Sequence, residues 1–302
     1  MADEGSSEPK EHEIRKRDEI RVVLLGATGA GKSATGNSIL GSMKFKENID
    51  PQSGTLFSQT EVACLDDHPD IYLSVTDTPG LSSTGQDQNM ICTQITQFIG
   101  QISPGPHVIV IVLSAGQRVS KEVQETVETF CKMFGDNSTE YMMFLFTHID
   151  QLINSRFEET PVSIDQFVET LLKKDSKMRS IFKKCGNRYV GINNRLPLES
   201  KDHQQQIADL IKMFMEIMRK NGATYYTNDD FLEVEDKIMK PLDRKTGDRS
   251  KSRNSLGDTL LAFSAGGVTV GATCGAIGAM FTSKTALVAV GALVEEQRRV
   301  PW

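Results

Sequence analysis

The feature that most constrains this chain is a glycine-rich turn that joins an apolar run to a segment typical of a helix. Residues 20–25 predict a buried strand, and they are followed at once by Gly26, four further residues and Gly31-Lys32-Ser33. This spacing is the phosphate-loop pattern, in which backbone N–H groups surround phosphate oxygens at the positive end of a helix. The sequence therefore predicts a nucleoside triphosphate site. A glycine turn in an ordinary α/β unit is the alternative.

Residue type assigns different roles within this loop. We expect Lys32 to reach the β- and γ-phosphates, which also makes it a catalytic candidate, and we expect the Ser33 hydroxyl to bind Mg²⁺. The predicted phosphate cradle comprises Gly26, Ala27, Thr28, Gly29, Ala30, Gly31, Lys32, Ser33 and Ala34.

Composition limits the class of protein. The formal charge is −6 and the pI is about 5.5, which argues against a nucleic-acid partner. The five cysteines are scattered and form no C-x-x-C pair, as is usual in a reducing compartment such as the cytoplasm. Residues 1–17 are polar and charged, so we expect a disordered tail and no secretory signal.

Apolar runs alternate with helical patterns from residue 18 to residue 222. Such alternation predicts an α/β domain with a doubly wound, mostly parallel sheet, in which ligands bind at the carboxyl ends of the strands. The predicted strands are 20–25, 60–65, 71–76, 108–113, 141–146 and 188–192. The predicted helices are 33–40, 90–99, 121–134, 164–174 and 204–219.

Asp77-Thr78-Pro79-Gly80 follows a predicted strand and has the D-x-x-G form. Beside a phosphate loop, Asp77 can hold Mg²⁺ through a water molecule and the Gly80 N–H can bind the γ-phosphate. A helix cap followed by a Pro-Gly turn is the alternative. A protein that senses the γ-phosphate also needs a threonine on the metal ion. Thr60 is preferred to Thr55 as the metal and nucleotide ligand, and a plain strand residue at this position is the alternative.

Thr147-His148-Ile149-Asp150 also follows a predicted strand. A carboxylate at Asp150 could accept hydrogen bonds from guanine N1 and N2, which adenine cannot match, so it favours GTP over ATP. His148 could lie flat against the base, and Asn193 or its neighbour Asn194 could contact guanine O6. A helix cap at residue 150 and a polar turn at 193–194 are the alternatives.

These motifs together resemble the GIMAP (immunity-associated, avirulence-induced-gene type) GTPases, relatives of septins and of chloroplast import GTPases. The resemblance rests on residues 26–41, Asp77-Thr78-Pro79-Gly80, residues 147–150 and residues 188–195, together with a box at 111–120. It implies a P-loop GTPase of the septin-like G-domain type that binds GTP or GDP with Mg²⁺ and acts in immunity. The box departs from the family pattern at Val119-Ser120.

Residue 81 is leucine, whereas small GTPases commonly place there a glutamine that orients the attacking water. We therefore expect slow hydrolysis by an isolated subunit. Arg118 is the candidate for a catalytic arginine supplied in trans across a homodimer or oligomer of G domains. A surface arginine paired with Glu122 or Glu125 is the alternative. Three functions stay open: a nucleotide-controlled assembly switch, an ATP-using enzyme, and a GTP-binding scaffold without hydrolysis.

The C-terminal part changes in composition. Residues 223–257 predict a helical extension, at 228–240, and a charged linker, at 241–253. Residues 258–302 form a Gly/Ala-rich apolar segment, and 259–283 carry no charge, which meets the length of a membrane span. We therefore expect 259–294 to contact a membrane, as one span or as a hairpin, and to anchor the protein at the cytosolic face of an intracellular membrane. A soluble tail is the alternative.

Overall fold

A six-stranded sheet forms the centre of the protein. The structure, a computed structural model, describes residues 18–47, 58–65, 68–79, 98–115, 135–153, 162–249 and 251–253. The strands are β1 (Asp18–Leu25), β2 (Gln59–Leu65), β3 (His68–Asp77), β4 (Val108–Ser114), β5 (Met142–Thr147) and β6 (Tyr189–Gly191). Their order is β2-β3-β1-β4-β5-β6, with β2 antiparallel to β3 and the other neighbours parallel. The predicted α/β fold with a mostly parallel sheet is confirmed.

Helices cover both faces of this sheet. They are α1 (Lys32–Leu40), α2 (Asp150–Ile153), α3 (Ile164–Lys174), α4 (Ser176–Lys184), α5 (Lys201–Lys220), α6 (Asp229–Val234) and α7 (Lys240–Thr246). A 3₁₀ turn at Asp136–Tyr141 precedes β5, a π-helical turn at Glu235–Met239 joins α6 to α7, and residues 98–102 are also helical. The predicted helix at 121–134 lies outside the described residues.

Alternation along β1 shows how one strand serves two cores. Val22 and Leu24 belong to the core beneath α1 and α5, whereas Val23 and Leu25 belong to the core beneath α3 and α4. All four side chains are almost completely buried. A strand covered on both faces needs an unbroken apolar run, and this is why residues 22–25 carry no polar side chain.

The segment predicted as a charged linker, 241–253, differs from that expectation. Residues Lys240–Thr246 are helical, and Arg249 and Arg253 further along pack against the domain. Arg253 is 3% exposed and donates to both carboxylate oxygens of Glu19, at 2.6 and 3.2 Å. Glu19 lies near the amino end of β1. The extension is therefore fixed to the rim of the sheet opposite the carboxyl ends of the parallel strands.

Arg249 makes a second set of contacts in this extension. Its guanidinium pairs with Glu235 and Asp243 and donates to the Ser103 carbonyl oxygen at 2.8 Å. Ser103 in turn donates from its hydroxyl to Glu235 at 2.6 Å. Charged residues that appear solvated in the sequence thus form a partly buried network that joins the extension to the loop before β4.

Within the part of the chain that the structure describes, none of the helices combines the length and hydrophobicity that crossing a membrane requires. The apolar segment 259–294 lies outside the described residues, as does the predicted N-terminal tail at 1–17.

Candidate nucleotide-binding site

The phosphate loop lies at the carboxyl end of β1, as the sequence predicts. Gly26 has a φ of 156°, and a Cβ atom placed there would lie 2.4 Å from the Val112 carbonyl oxygen, so the close approach of β4 excludes a larger residue. Gly29 and Gly31 also have positive φ angles, and α1 begins directly afterwards at Lys32. The N–H groups of the first turn of α1 therefore stand at the end of a tight loop, where an anion is favoured.

Lys32 folds its side chain back over this loop. Its ammonium group donates to the carbonyl oxygens of Gly26 and Ala27, both at 3.0 Å, and the residue is only 7% exposed. Burial lowers the pKa of Lys32, and the charge of Asp77 opposes that shift. The Lys32 amino group is therefore held next to the N–H groups of the loop.

Ser33 and Asp77 meet although 44 residues separate them in the sequence. The Ser33 hydroxyl donates to Asp77 Oδ2 at 2.6 Å, and Asp77 is 2% exposed at the end of β3. The neighbouring Thr78 donates from its hydroxyl to the Leu24 carbonyl oxygen at 2.7 Å, which fixes the end of β3 against β1. A hydroxyl and a carboxylate that converge beside a phosphate loop are oxygen ligands of the kind that Mg²⁺ requires. The residues present therefore fit a magnesium ion.

Thr60 lies away from this pair. It belongs to β2, and its hydroxyl oxygen is 2.8 Å from that of Thr76 on β3. Because consecutive side chains of a strand point to opposite faces, this contact places Thr60 across the sheet from Asp77. The structure thus does not bring Thr60 to the magnesium candidates. The competing candidate, Thr55, lies outside the described residues, and so do Gly80 and Arg118.

The Thr147–Asp150 motif contacts the phosphate loop directly. The Thr147 hydroxyl donates to the Ala30 carbonyl oxygen at 2.8 Å, and a Cβ at Gly31 would lie 3.1 Å from the Thr147 methyl group. Thr147 had no assigned role in the sequence prediction, and its contact explains why a small polar residue ends β5. His148, next in the chain, has a φ of 57°, which few residues other than glycine adopt.

Asp150 begins α2, and its side chain is 17% exposed. Its Oδ2 atom accepts a hydrogen bond from Arg195 Nη1 at 3.0 Å. A Cβ at the nearby Gly191 would lie 3.0 Å from the Ile149 side chain, so a larger residue there would require that side chain to shift slightly. Sequence reasoning assigned no role to Arg195.

Asn193 and Asn194, the two alternatives for a guanine contact, are held differently. The Asn193 backbone exchanges two hydrogen bonds with the Gln206 side-chain amide, at 3.0 and 3.1 Å. Asn194 donates to the Thr35 hydroxyl at 3.1 Å and accepts from the Ser38 hydroxyl at 2.9 Å. Asn194 is therefore committed to α1, whereas the Asn193 backbone is committed to Gln206 and its side-chain oxygen accepts from the Arg195 N–H at 3.0 Å.

The helix after the phosphate loop also holds the start of the next loop. Asn37 accepts from the N–H groups of Lys44 and Phe45 at 2.9 and 2.7 Å, and it donates to the Phe45 carbonyl oxygen at 2.9 Å. The Phe45 ring is buried against Gly36, where a Cβ would lie 2.6 Å from it. These contacts explain the residues of α1 that the phosphate-loop pattern alone does not require.

The sequence matches the AIG1 family over residues 20–245, three quarters of its length. The chain belongs to the AIG1 family. The resemblance stated from the motifs is thereby confirmed, and the protein is a P-loop, GTPase-type member of this family.

Two relatives of this AIG1 protein come from Arabidopsis thaliana. Immune-associated nucleotide-binding protein 7 is 29% identical over 255 residues, which cover 83% of this chain and 76% of the relative. Immune-associated nucleotide-binding protein 10 is 28% identical over 245 residues, which cover 78% of this chain and 51% of the relative. The chain thus spans only about half the length of the second relative.

Among solved structures, the AIG1 protein is similar to Toc33 from Arabidopsis thaliana. Toc33 in complex with Mg²⁺ and GMPPNP superposes with a TM-score of 0.52 at 19% identity, covering 67% of this chain and 85% of that one. A second structure belongs to a study of the chloroplast translocon components atToc33 and psToc159, which states that dimerization is important for their GTPase activity. It gives a TM-score of 0.51 at 19% identity and covers 66% of this chain and 83% of that one. These likenesses concern the fold.

Proposed function

We propose that this AIG1 protein binds GTP and GDP with Mg²⁺ at the carboxyl rim of its sheet. The observation that carries the proposal is the contact between three motifs that are distant in the sequence. Ser33 of the phosphate loop meets Asp77 at 2.6 Å, and Thr147 of the third motif meets Ala30 of the loop at 2.8 Å. Separate segments with phosphate-, metal- and base-binding chemistry therefore share one site.

The proposed division of labour follows from these positions. The loop N–H groups and the Lys32 ammonium would bind phosphate oxygens, Ser33 and, through a water molecule, Asp77 would hold Mg²⁺, and Asp150 would accept from the guanine edge. Magnesium would neutralise charge on the phosphates. The two hydrogen bonds from Lys32 to carbonyl oxygens of the loop hold the loop in shape before the nucleotide binds. On binding, Lys32 would exchange these hydrogen bonds for contacts with phosphate. Thr60 would have to leave Thr76 to reach the metal ion.

We further propose that hydrolysis is slow in the isolated subunit and that the GTP state assembles through the G domain. Leu81 cannot orient a water molecule, so a group from a second subunit is required for fast turnover. The reported importance of dimerization for the GTPase activity of Toc33-type proteins supports this arrangement. Arg118 is the proposed donor of positive charge in trans.

GTP turnover per subunit, measured across a hundredfold range of protein concentration, tests this switch. We expect the specific rate to rise with concentration and Arg118→Ala to abolish the rise. The exposed Arg179, on α4, provides a matched control, and Arg179→Ala should behave as the original protein does. A specific rate that is fast at the lowest concentration, or unchanged in Arg118→Ala throughout, would contradict the proposal.

The second candidate function is a scaffold that binds GTP without hydrolysing it, and Leu81 is the observation that favours it. Tight GTP retention with no turnover at the highest protein concentration would select the scaffold. For either function we propose attachment to the cytosolic face of an intracellular membrane, because 259–283 carry no charge. Resistance of membrane-bound protein to carbonate extraction, and its loss on truncation before residue 259, test this attachment.

A further inference from the structure

The loop after β6 ends in an arginine that reaches the proposed base-recognition carboxylate. Arg195 Nη1 lies 3.0 Å from Asp150 Oδ2, and the two side chains are 69% and 17% exposed. Because the Arg195 side chain is largely exposed, solvent screens this ion pair and a long side chain must be ordered to form it, which limits its contribution to folding stability. A role for Arg195 must therefore be sought in what the pair does to Asp150.

The backbone that carries Arg195 is fixed without its side chain. Gln206 on α5 holds Asn193 by two hydrogen bonds, and the Asn193 side chain accepts from the Arg195 N–H at 3.0 Å. Asn194 is bound to two hydroxyl groups of α1. The guanidinium thus projects from a rigid loop towards a carboxylate at the start of another element.

Asp150 has to present its carboxylate in one orientation to bind guanine. The N1–H and N2–H donors of guanine lie on one edge of a plane, and a carboxylate that rotates freely loses part of that match. A carboxylate offers about four lone-pair sites, so a hydrogen bond accepted from arginine does not by itself exclude hydrogen bonds accepted from a base. Arg195 supplies a charge-assisted hydrogen bond at Oδ2, which selects one rotation of the group.

We infer that Arg195 is a specificity-determining positioning residue, which orients the Asp150 carboxylate for the N1 and N2 groups of a guanine base. This inference rests on the proposed guanine-nucleotide function. Arg195 acts through Asp150 and does not need to touch the nucleotide. Its loss should therefore weaken discrimination between bases more than it weakens phosphate binding.

The test compares the dissociation constants for GDP and IDP, since inosine lacks the N2 amino group. In Arg195→Ala we expect the preference for GDP over IDP to fall by about three- to thirtyfold. Arg195→Lys, which keeps the charge but not the planar fork, should restore part of that preference. The exposed Arg219, on α5, serves as the control, and Arg219→Ala should leave the ratio unchanged.

A cycle with Asp150→Ala completes the experiment. Once Asp150 is absent, removal of Arg195 should have no further effect on the ratio. The inference is overturned if the ratio is unchanged in Arg195→Ala or if the affinities for GDP and IDP fall equally. Tighter GDP binding in Arg195→Ala would also overturn it, because that result would show that Arg195 competes with the base. If the original protein does not distinguish GDP from IDP, the inferred contact with guanine N2 is overturned, whereas a protein that binds neither nucleotide would contradict the proposed guanine function itself.

Discussion

Replacing Glu19 by glutamine should destabilise the protein strongly, although Glu19 is far from the candidate site. Glu19 accepts from Arg253 at 2.6 and 3.2 Å and from Arg21 at 3.2 Å. Burial raises the pKa of its carboxyl group, but the two arginines outweigh it and lower the pKa from 4.5 to about 2. At about 1.4 kcal/mol per pKa unit, the folded state gains roughly 3 kcal/mol from the ionised carboxylate at pH 7.

The sign of the pH dependence follows from this lowered pKa. Stabilisation by Glu19 is complete above its unfolded value near 4.5 and is lost as the pH falls towards 2. Urea unfolding of Glu19→Gln and of the original protein should therefore differ by roughly 3 kcal/mol at pH 7 and by about half of that near pH 3.

An exposed carboxylate supplies the control for this experiment. Glu169 pairs with Lys173 one turn along α3, with both side chains more than 60% exposed, and Glu169→Gln should cost less than about 0.5 kcal/mol. A loss of under about 1 kcal/mol in Glu19→Gln at pH 7, or a difference that does not shrink on acidification, would refute the account of the docked C-terminal extension.

Three further predictions concern single positions. Adding Mg²⁺ should raise GTP affinity by a factor about tenfold smaller, or smaller still, in Ser33→Ala than in the original protein, because the variant lacks the hydroxyl beside Asp77. GDP binding in EDTA should change little. Calorimetry with and without Mg²⁺ distinguishes the two effects. Gly36→Ala should destabilise by about 1–3 kcal/mol in urea, because its Cβ would lie 2.6 Å from the buried Phe45 ring, whereas helix propensity alone predicts a gain. Burial lowers the pKa of His107 from 6.5 to about 3, so on acidification the unfolded chain takes up a proton before the folded protein does. The free energy of unfolding should therefore fall as the pH drops below 6.5. His107→Asn should reduce the pH dependence of the urea midpoint between about pH 7 and pH 5.

The parts of the protein that local sequence pattern specifies were predictable. The apolar run of β1 and the glycines after it fix a strand and a phosphate loop within 14 residues, from 20 to 33. The meeting of Ser33 with Asp77 was also predictable, because both follow strands whose carboxyl ends share one rim of a parallel sheet.

Contacts that depend on distant partners could not be predicted in this way. Arg253 follows a run of charged residues that resembles a solvated linker, and its partner Glu19 is 234 residues away. Arg195 and Asp150 are 45 residues apart, and no periodicity relates them. Thr60 shows that a nearer contact can also be missed. Its hydroxyl lies within hydrogen-bond distance of Thr76 across the antiparallel pair of β2 and β3, and the loop pattern did not indicate this contact.

Displacement of fluorescently labelled GDP by unlabelled GTP, ATP and XTP tests the central claim most directly. We predict displacement by GTP in the presence of Mg²⁺, with ATP at least about a hundredfold weaker, since the base site would leave buried groups unpaired against adenine. Asp150→Asn should shift the preference towards XTP, because an amide can donate to the carbonyl oxygen that xanthine carries at position 2. Equal displacement by GTP and ATP, or an unchanged base preference in Asp150→Asn, would contradict a guanine-nucleotide site at this rim of the sheet.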